Sequence, residues 1–284
     1  MSWISSLFNN LFGHSQPPAP PVPKPAGPVS RALLVAINKM PGNELRGCIN
    51  DSNSVKKALL EDWGFKADEI VQLFDQKATT RNILANLEWL VAVPPGSRII
   101  FGYSGHGAQV PTDDPSEPDG LSEVIVPFDF SWTPSTMITD KQFVQVFSKI
   151  PPGCFFNWIS DSCHSGNLEK SIIKGNPKTI SHPLHIHSAR KRLHAKGKKV
   201  RALVGGLLDC GFVAACRSDQ TASDTEIGGT PCGAASHFFL EALKKMRSTP
   251  LVEIVLSANQ ALAANGYDQV MQAEGVRRTR PWLG

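Results

Sequence analysis

The sequence predicts an α/β fold: a mainly parallel sheet with helices on both faces. Short, wholly apolar runs read as buried strands, and stretches of helical periodicity alternate with them. Two of those runs are also followed at once by residues able to do chemistry, and parallel sheets bind ligands at the carboxyl ends of their strands.

Taken in order, residues 32–37 (ALLVAI) read as the first strand and 51–63 as a helix. Residues 70–74 are a strand and 80–91 a helix. SRIIFGY (97–103) and FFNWIS (155–160) are further buried strands, as is GFVAAC (211–216), with a helix over 235–246. At 284 residues the chain buries a proper core without disulfide or metal staples. The six cysteines, at 48, 154, 163, 210, 216 and 232, form no CxxC pair, so a reducing compartment suits them. The expected location is cytoplasmic: the start lacks the basic residues and continuous apolar core of a signal peptide, and no run is long enough to span a bilayer.

The first residues stand apart. Trp3, Ile4, Leu7, Phe8, Leu11 and Phe12 fall on one face of a helix, and seven prolines follow within residues 17–28. Residues 1–29 therefore read as an amphipathic segment on a semi-rigid tether, with residues 3–12 as a contact for a partner protein or membrane surface. The net charge of +4 is too mild to argue for nucleic acid. Ten of the 29 basic residues lie in 170–201, which contains no Asp or Glu and reads as a flexible linker. It separates 30–169 from 202–284 within one domain covering 30–284.

After SRIIFGY comes Ser104-Gly105-His106-Gly107, and after FFNWIS comes Asp161-Ser162-Cys163-His164. Adjacent strands would bring these ends together. A thiolate at Cys163 is a strong nucleophile, and the His106 imidazole can activate it or protonate a leaving amine. The backbone N–H of Cys163, with that of Gly107 or Gly105, could form an oxyanion hole. His164 is a rival base that should point elsewhere at a turn, and the cysteines at 154, 210, 216 and 232 read as small buried hydrophobes.

YSGHGAQ (103–109) and DSCHSG (161–166) closely resemble the two catalytic motifs of metacaspases. GCINDS (47–52), SEVIVPFDF (122–130) and AACRSDQTA (214–222) are similar to further family segments, so the resemblance covers roughly 30–284. It implies a caspase/hemoglobinase-like three-layer sandwich, a Cys–His dyad, and cleavage of peptide or protein substrates after Arg or Lys. By the same resemblance, Asp51 and Asp161 are the acids of the S1 pocket, with Cys48 and Ser104 lining it. Paired carboxylates suit a basic side chain; alternatively, Asp51 merely caps its helix. A monomer is expected by analogy.

The chain departs from the family at the calcium site that the resemblance implies. Lys170 stands where one family acid lies, and Asp140 is followed by Lys141. Lysine cannot ligate calcium, so no cofactor is expected: activity should be calcium-independent, with lysine–acid ion pairs taking the metal's structural role, or calcium should bind elsewhere with low affinity. Asp119 and Asp140 are the weak remaining metal candidates, and the loop Asp113–Asp119 reads as solvated. Arg190, Lys191, Arg192 and Lys199 in the basic linker are candidate self-processing sites. A catalytically silent caspase-fold scaffold is the alternative function, although both dyad residues are present.

Overall fold

A computed structural model describes residues 27–114, 117, 120–163, 174–180, 208–217 and 220–283. The central sheet has six strands in the order β12-β9-β7-β3-β1-β2. They are β1 (Ser30–Ala36), β2 (Ile70–Phe74), β3 (Arg98–Ser104), β7 (Phe155–Asp161), β9 (Cys210–Ala214) and β12 (Gln272–Glu274). All pair in parallel except β12, which closes the edge antiparallel to β9. Successive residues of β1 face opposite layers: Ala32 and Leu34 join one core, Leu33 and Val35 the other. That two-sided burial is why these strands read as unbroken apolar runs.

On one face lie α1 (Cys48–Asp62), α4 (Ala234–Lys245) and α5 (Leu251–Ala264), packed through residues such as Leu59, Phe239 and Ile254. On the other, α2 (Thr80–Val91) and α3 (Asp140–Phe147) cover an aromatic cluster in which Phe101, Phe143, Phe147 and Trp158 stand 4.9–5.7 Å apart between ring centres. Thr79 caps α2 by accepting from the Asn82 N–H, and Thr139 with Gln142 forms a capping box on α3.

Two small antiparallel sheets sit at the carboxyl ends of the parallel strands. One joins β4 (Gly107–Pro111), β5 (Leu121–Ile125) and β6 (Ile138–Thr139). The other has the order β11-β10-β8, made of β8 (Asn176–Pro177), β10 (Ser223–Ile227) and β11 (Thr230–Gly233).

Three expectations need correcting. Helix α1 starts three residues before position 51, at Cys48, so Asp51 lies inside its first turn and caps nothing. Residues 174–180 are not part of a featureless linker: Asn176 and Pro177 add a strand to the edge of β10, where a proline needs no donor, and the Lys178 N–H bonds the Ala222 carbonyl at 3.0 Å. The acidic loop is not simply solvated, because Lys141 Nζ lies 3.0 Å from Asp114 Oδ2 and 2.9 Å from Glu117 Oε1. Residues 1–26, Asp119, His164, Lys170, Arg190, Lys191, Arg192 and Lys199 lie outside the described residues.

Candidate active site

Register brings the two motifs to one end of the sheet. Strands β3 and β7 are neighbours with Ser104 opposite Asp161, and each chain then runs two residues further, to His106 and to Cys163. The His106 carbonyl is held by the Tyr103 hydroxyl at 2.6 Å and the Val126 N–H at 3.1 Å, which fixes the turn that carries the imidazole. Nε2 of His106 lies 2.5 Å from the Asn43 carbonyl, so in the matching tautomer it donates there. Nδ1 is buried with no hydrogen-bond partner, which leaves it as the nitrogen free to exchange a proton. Burial lowers the pKa of this histidine, the Asn43 contact opposing and the Lys178 ammonium adding to the effect. Cys163 is buried, and its thiol donates to the Gln220 carbonyl at 2.8 Å. Cys216 shares that carbonyl at 3.5 Å; hydrogen bonding to Cys163 and burial hold its own thiol well above the ordinary pKa, so it stays protonated.

The backbone N–H groups of Gly107 and Cys163 both donate to one oxygen, the carbonyl of Lys178, each at 3.1 Å. The Lys178 side chain runs from there into a closed pocket and is fully buried. Its Nζ lies 3.0 Å from Asp51 Oδ2, 3.2 Å from Asp161 Oδ2 and 2.9 Å from Ser104 Oγ, so three acceptors meet three donors. Burial opposes the charge on Lys178, yet Asp161 and Asp51 hold its pKa well above the usual lysine value. Burial pushes Asp51 up to about 6 despite the ammonium beside it, with Asp161 adding to the rise.

The pocket acids are themselves held. Asp51 accepts from Ser104 Oγ at 2.7 Å and from the Gly233 N–H at 2.8 Å; Asp161 accepts from Ser236 Oγ at 2.5 Å and its N–H at 3.2 Å. Cys48 is buried beside Ala36 and Leu45, and burial pushes its thiol up to about 12. Gly233 forms one wall: a Cβ there would collide with Asp161 Oδ2 and with the Lys178 ammonium, so the pocket is open only because that residue is glycine.

The segment around Lys178 lies as an extended peptide. Asn176 and Pro177 pair antiparallel with Asp224 and Ser223 of β10, and beyond the lysine the Ile180 N–H donates to the Gly107 carbonyl at 3.1 Å. Nothing in the sequence signals this occupancy; Lys178 reads like any other residue of a basic loop. No group of three or more His, Cys, Asp or Glu residues poised for a metal ion occurs among the described residues. Near the calcium site that the resemblance implies, the Lys141 ammonium lies between Asp114 and Glu117. Burial and the neighbouring Glu117 raise the pKa of Asp140. Among the described residues no helix is long and apolar enough to cross a membrane.

Residues 30–170 match the family description "Metacaspase, peptidase C14 domain". Metacaspase-1 of Cryptococcus neoformans is 32% identical over 281 residues, covering 85% of this chain and 61% of that protein. Metacaspase-1 of Candida albicans is 32% identical over 289 residues, covering 85% and 64%, and that of Schizosaccharomyces pombe 28% over 282 residues, covering 85% and 66%. The chain thus spans less than two thirds of these relatives' length. Among solved structures, a Geobacter sulfurreducens protein superposes with a TM-score of 0.64 at 19% identity, covering 90% of this chain and 99% of that one. Caspase-1 from Spodoptera frugiperda superposes with a TM-score of 0.55 at 12% identity, covering 90% and 93%. Those likenesses establish the caspase-like fold.

Proposed function

The chain belongs to the metacaspase family, and on that premise we propose that it is a cysteine endopeptidase that cuts after Lys or Arg, with Cys163 as nucleophile and His106 as acid/base partner. The observation that carries this reading is the pose of Lys178. Its carbonyl oxygen rests on two backbone N–H groups, its side chain fills an acidic pocket, and its backbone pairs with a strand edge. A bound substrate presents its scissile carbonyl, P1 side chain and flanking backbone in that way.

In the reaction, the Cys163 thiol leaves the Gln220 carbonyl, gives its proton to Nδ1 of His106 and attacks the P1 carbonyl carbon. The Gly107 and Cys163 N–H groups take the negative charge that develops on the oxygen. Collapse breaks the C–N bond, the imidazole supplies the proton to the departing amine, and water then hydrolyses the thioester, releasing the acid and the thiol. Applied to the chain itself, the pose of Lys178 favours a self-cut between Lys178 and Thr179 over one at Arg190, Lys191, Arg192 or Lys199. Calcium plays no part in the reading, because Lys141 supplies the positive charge to its acidic cluster.

The test is hydrolysis of matched fluorogenic peptides ending in Arg, Lys or Asp, by wild type and Cys163→Ala, with calcium and with a chelator, beside intact mass spectrometry. Cleavage of the basic peptides that vanishes in the variant, and a break after Lys178 in wild type only, are expected. Cleavage after Asp would overturn the pocket assignment, strong chelator sensitivity the calcium reading, and equal fragmentation of both proteins the self-cut. Silence under every condition would favour the caspase-fold scaffold.

A further inference from the structure

We propose that Asp224 is a positioning residue that couples peptide binding on β10 to the orientation of the His106 imidazole; the inference rests on the peptidase reading above. The group that holds Nε2 of His106 is a backbone carbonyl, that of Asn43, so its place is set by the loop that carries it rather than by any side chain. That loop leaves β1, crosses over the site and enters α1. It is tied down at both ends by carboxylates from elsewhere in the chain.

At its start, Asp75 Oδ1 accepts from the N–H groups of Asn38 and Lys39 at 2.8 and 2.9 Å. At its end, Asp224 Oδ2 accepts from the Arg46 N–H at 2.7 Å and Oδ1 from the Gly47 N–H at 2.8 Å. Asn38 links the two ends, accepting from the Ile49 N–H at 3.4 Å and donating to the Arg46 carbonyl at 3.2 Å. Asp224 is almost fully buried, and a Cβ on Gly47 would lie 2.5 Å from Oδ1, so only glycine lets the carboxylate approach this closely.

Asp224 differs from Asp75 in where its own backbone lies. It stands on β10 opposite Asn176, in the strand that carries the substrate-like segment. The main chain of residue 224 therefore belongs to the peptide-binding edge while its side chain fixes the loop that aims the imidazole. A peptide that pairs with β10 steadies both at once. The charged groups that act on His106 are the Lys178 ammonium and the Asp224 carboxylate; Arg46 pairs outward with Glu226 at 3.3 Å on the exposed side of the loop.

The test compares full-length wild type, Asp224→Asn and Asp224→Ala. Asparagine keeps one acceptor and loses the other, so it should fall between wild type and alanine. Misaiming a catalytic group by about 1 Å costs roughly a hundredfold in rate. The expected result is a kcat lowered by at least about tenfold in Asp224→Asn, with KM for a P1-Lys peptide within about twofold of wild type. The pH-rate limb that follows the imidazole should move to lower pH, since both supports of its protonated form weaken. A fold that is merely loosened would lower the active fraction and leave that limb in place, which would overturn the inference. An unchanged kcat in Asp224→Asn, while Cys163→Ala is inactive, would overturn it and leave the peptidase reading standing. NMR titration of the His106 imidazole in the Cys163→Ala chain needs no turnover: a downward shift on adding Asp224→Asn is expected even if the peptidase reading fails, and an unmoved midpoint overturns the inference.

Discussion

Two lysines in this chain each sit between two carboxylates at about the same distance, and their surroundings make them different devices. Lys178 meets Asp51 and Asp161 at 3.0 and 3.2 Å with all three side chains almost wholly buried. Lys141 meets Asp114 and Glu117 at 3.0 and 2.9 Å, but its side chain is 36% exposed. Water screens the second group and each of its pairs contributes about 0–1 kcal/mol. The first has no water to fall back on, and deleting one partner of such a buried pair costs about 3–5 kcal/mol. Under the proposed function, near-identical contacts select a substrate in one place and tidy a loop in the other.

Removing one charged partner from each site tests that difference most strongly. Asp161→Asn should lower kcat/KM for P1-Lys peptides by about a hundredfold or more, in line with the loss of a buried charge partner. A loss no greater than that produced by changing Lys141 would break the comparison. The second effect concerns pH. The Asp51 carboxyl, raised to about 6, is ionised above that value and neutral below it. Protonation removes a charge that faces the P1 ammonium, so KM for P1-Lys peptides should rise as pH falls through about 6, while a neutral-P1 control stays flat. Smallest is Lys141→Met. Its exposed pairs predict a stability loss of about 1 kcal/mol or less, a fall in Tm of about 2–4 °C that added salt reduces, read by thermal melts.

The parallel strands and the two turns that carry His106 and Cys163 were legible because burial on both faces writes itself as unbroken apolar runs, such as IIF in β3 and FFNWIS in β7. The acids around the Lys178 ammonium were reachable only by resemblance. Asp51 lies in a helix whose first turn carries no side-chain cap, and its carboxylate points across to Ser104 and Gly233, residues far away in the chain. Strand β10 was illegible for a related reason. Ser223, Asp224, Thr225 and Glu226 carry little apolar signal, and Asp224 is buried because the N–H groups of a distant loop need its oxygens. Lys178 was the hardest of all, since a lysine in a basic run differs from its neighbours only in what its position in space places around it.

A substrate-like segment that belongs to the enzyme's own chain is never diluted away. Tethered groups meet at effective concentrations of the order of millimolar, whatever the concentration of the protein itself. A peptide arriving from solution must compete with that local supply, and a weak one fails however much enzyme is present. Under the proposed self-cut within one chain, loss of the tethered competitor is likewise a first-order event. The lag before peptides are turned over should therefore last equally long in dilute and in concentrated solution, a clock set by the chain and not by encounters between chains.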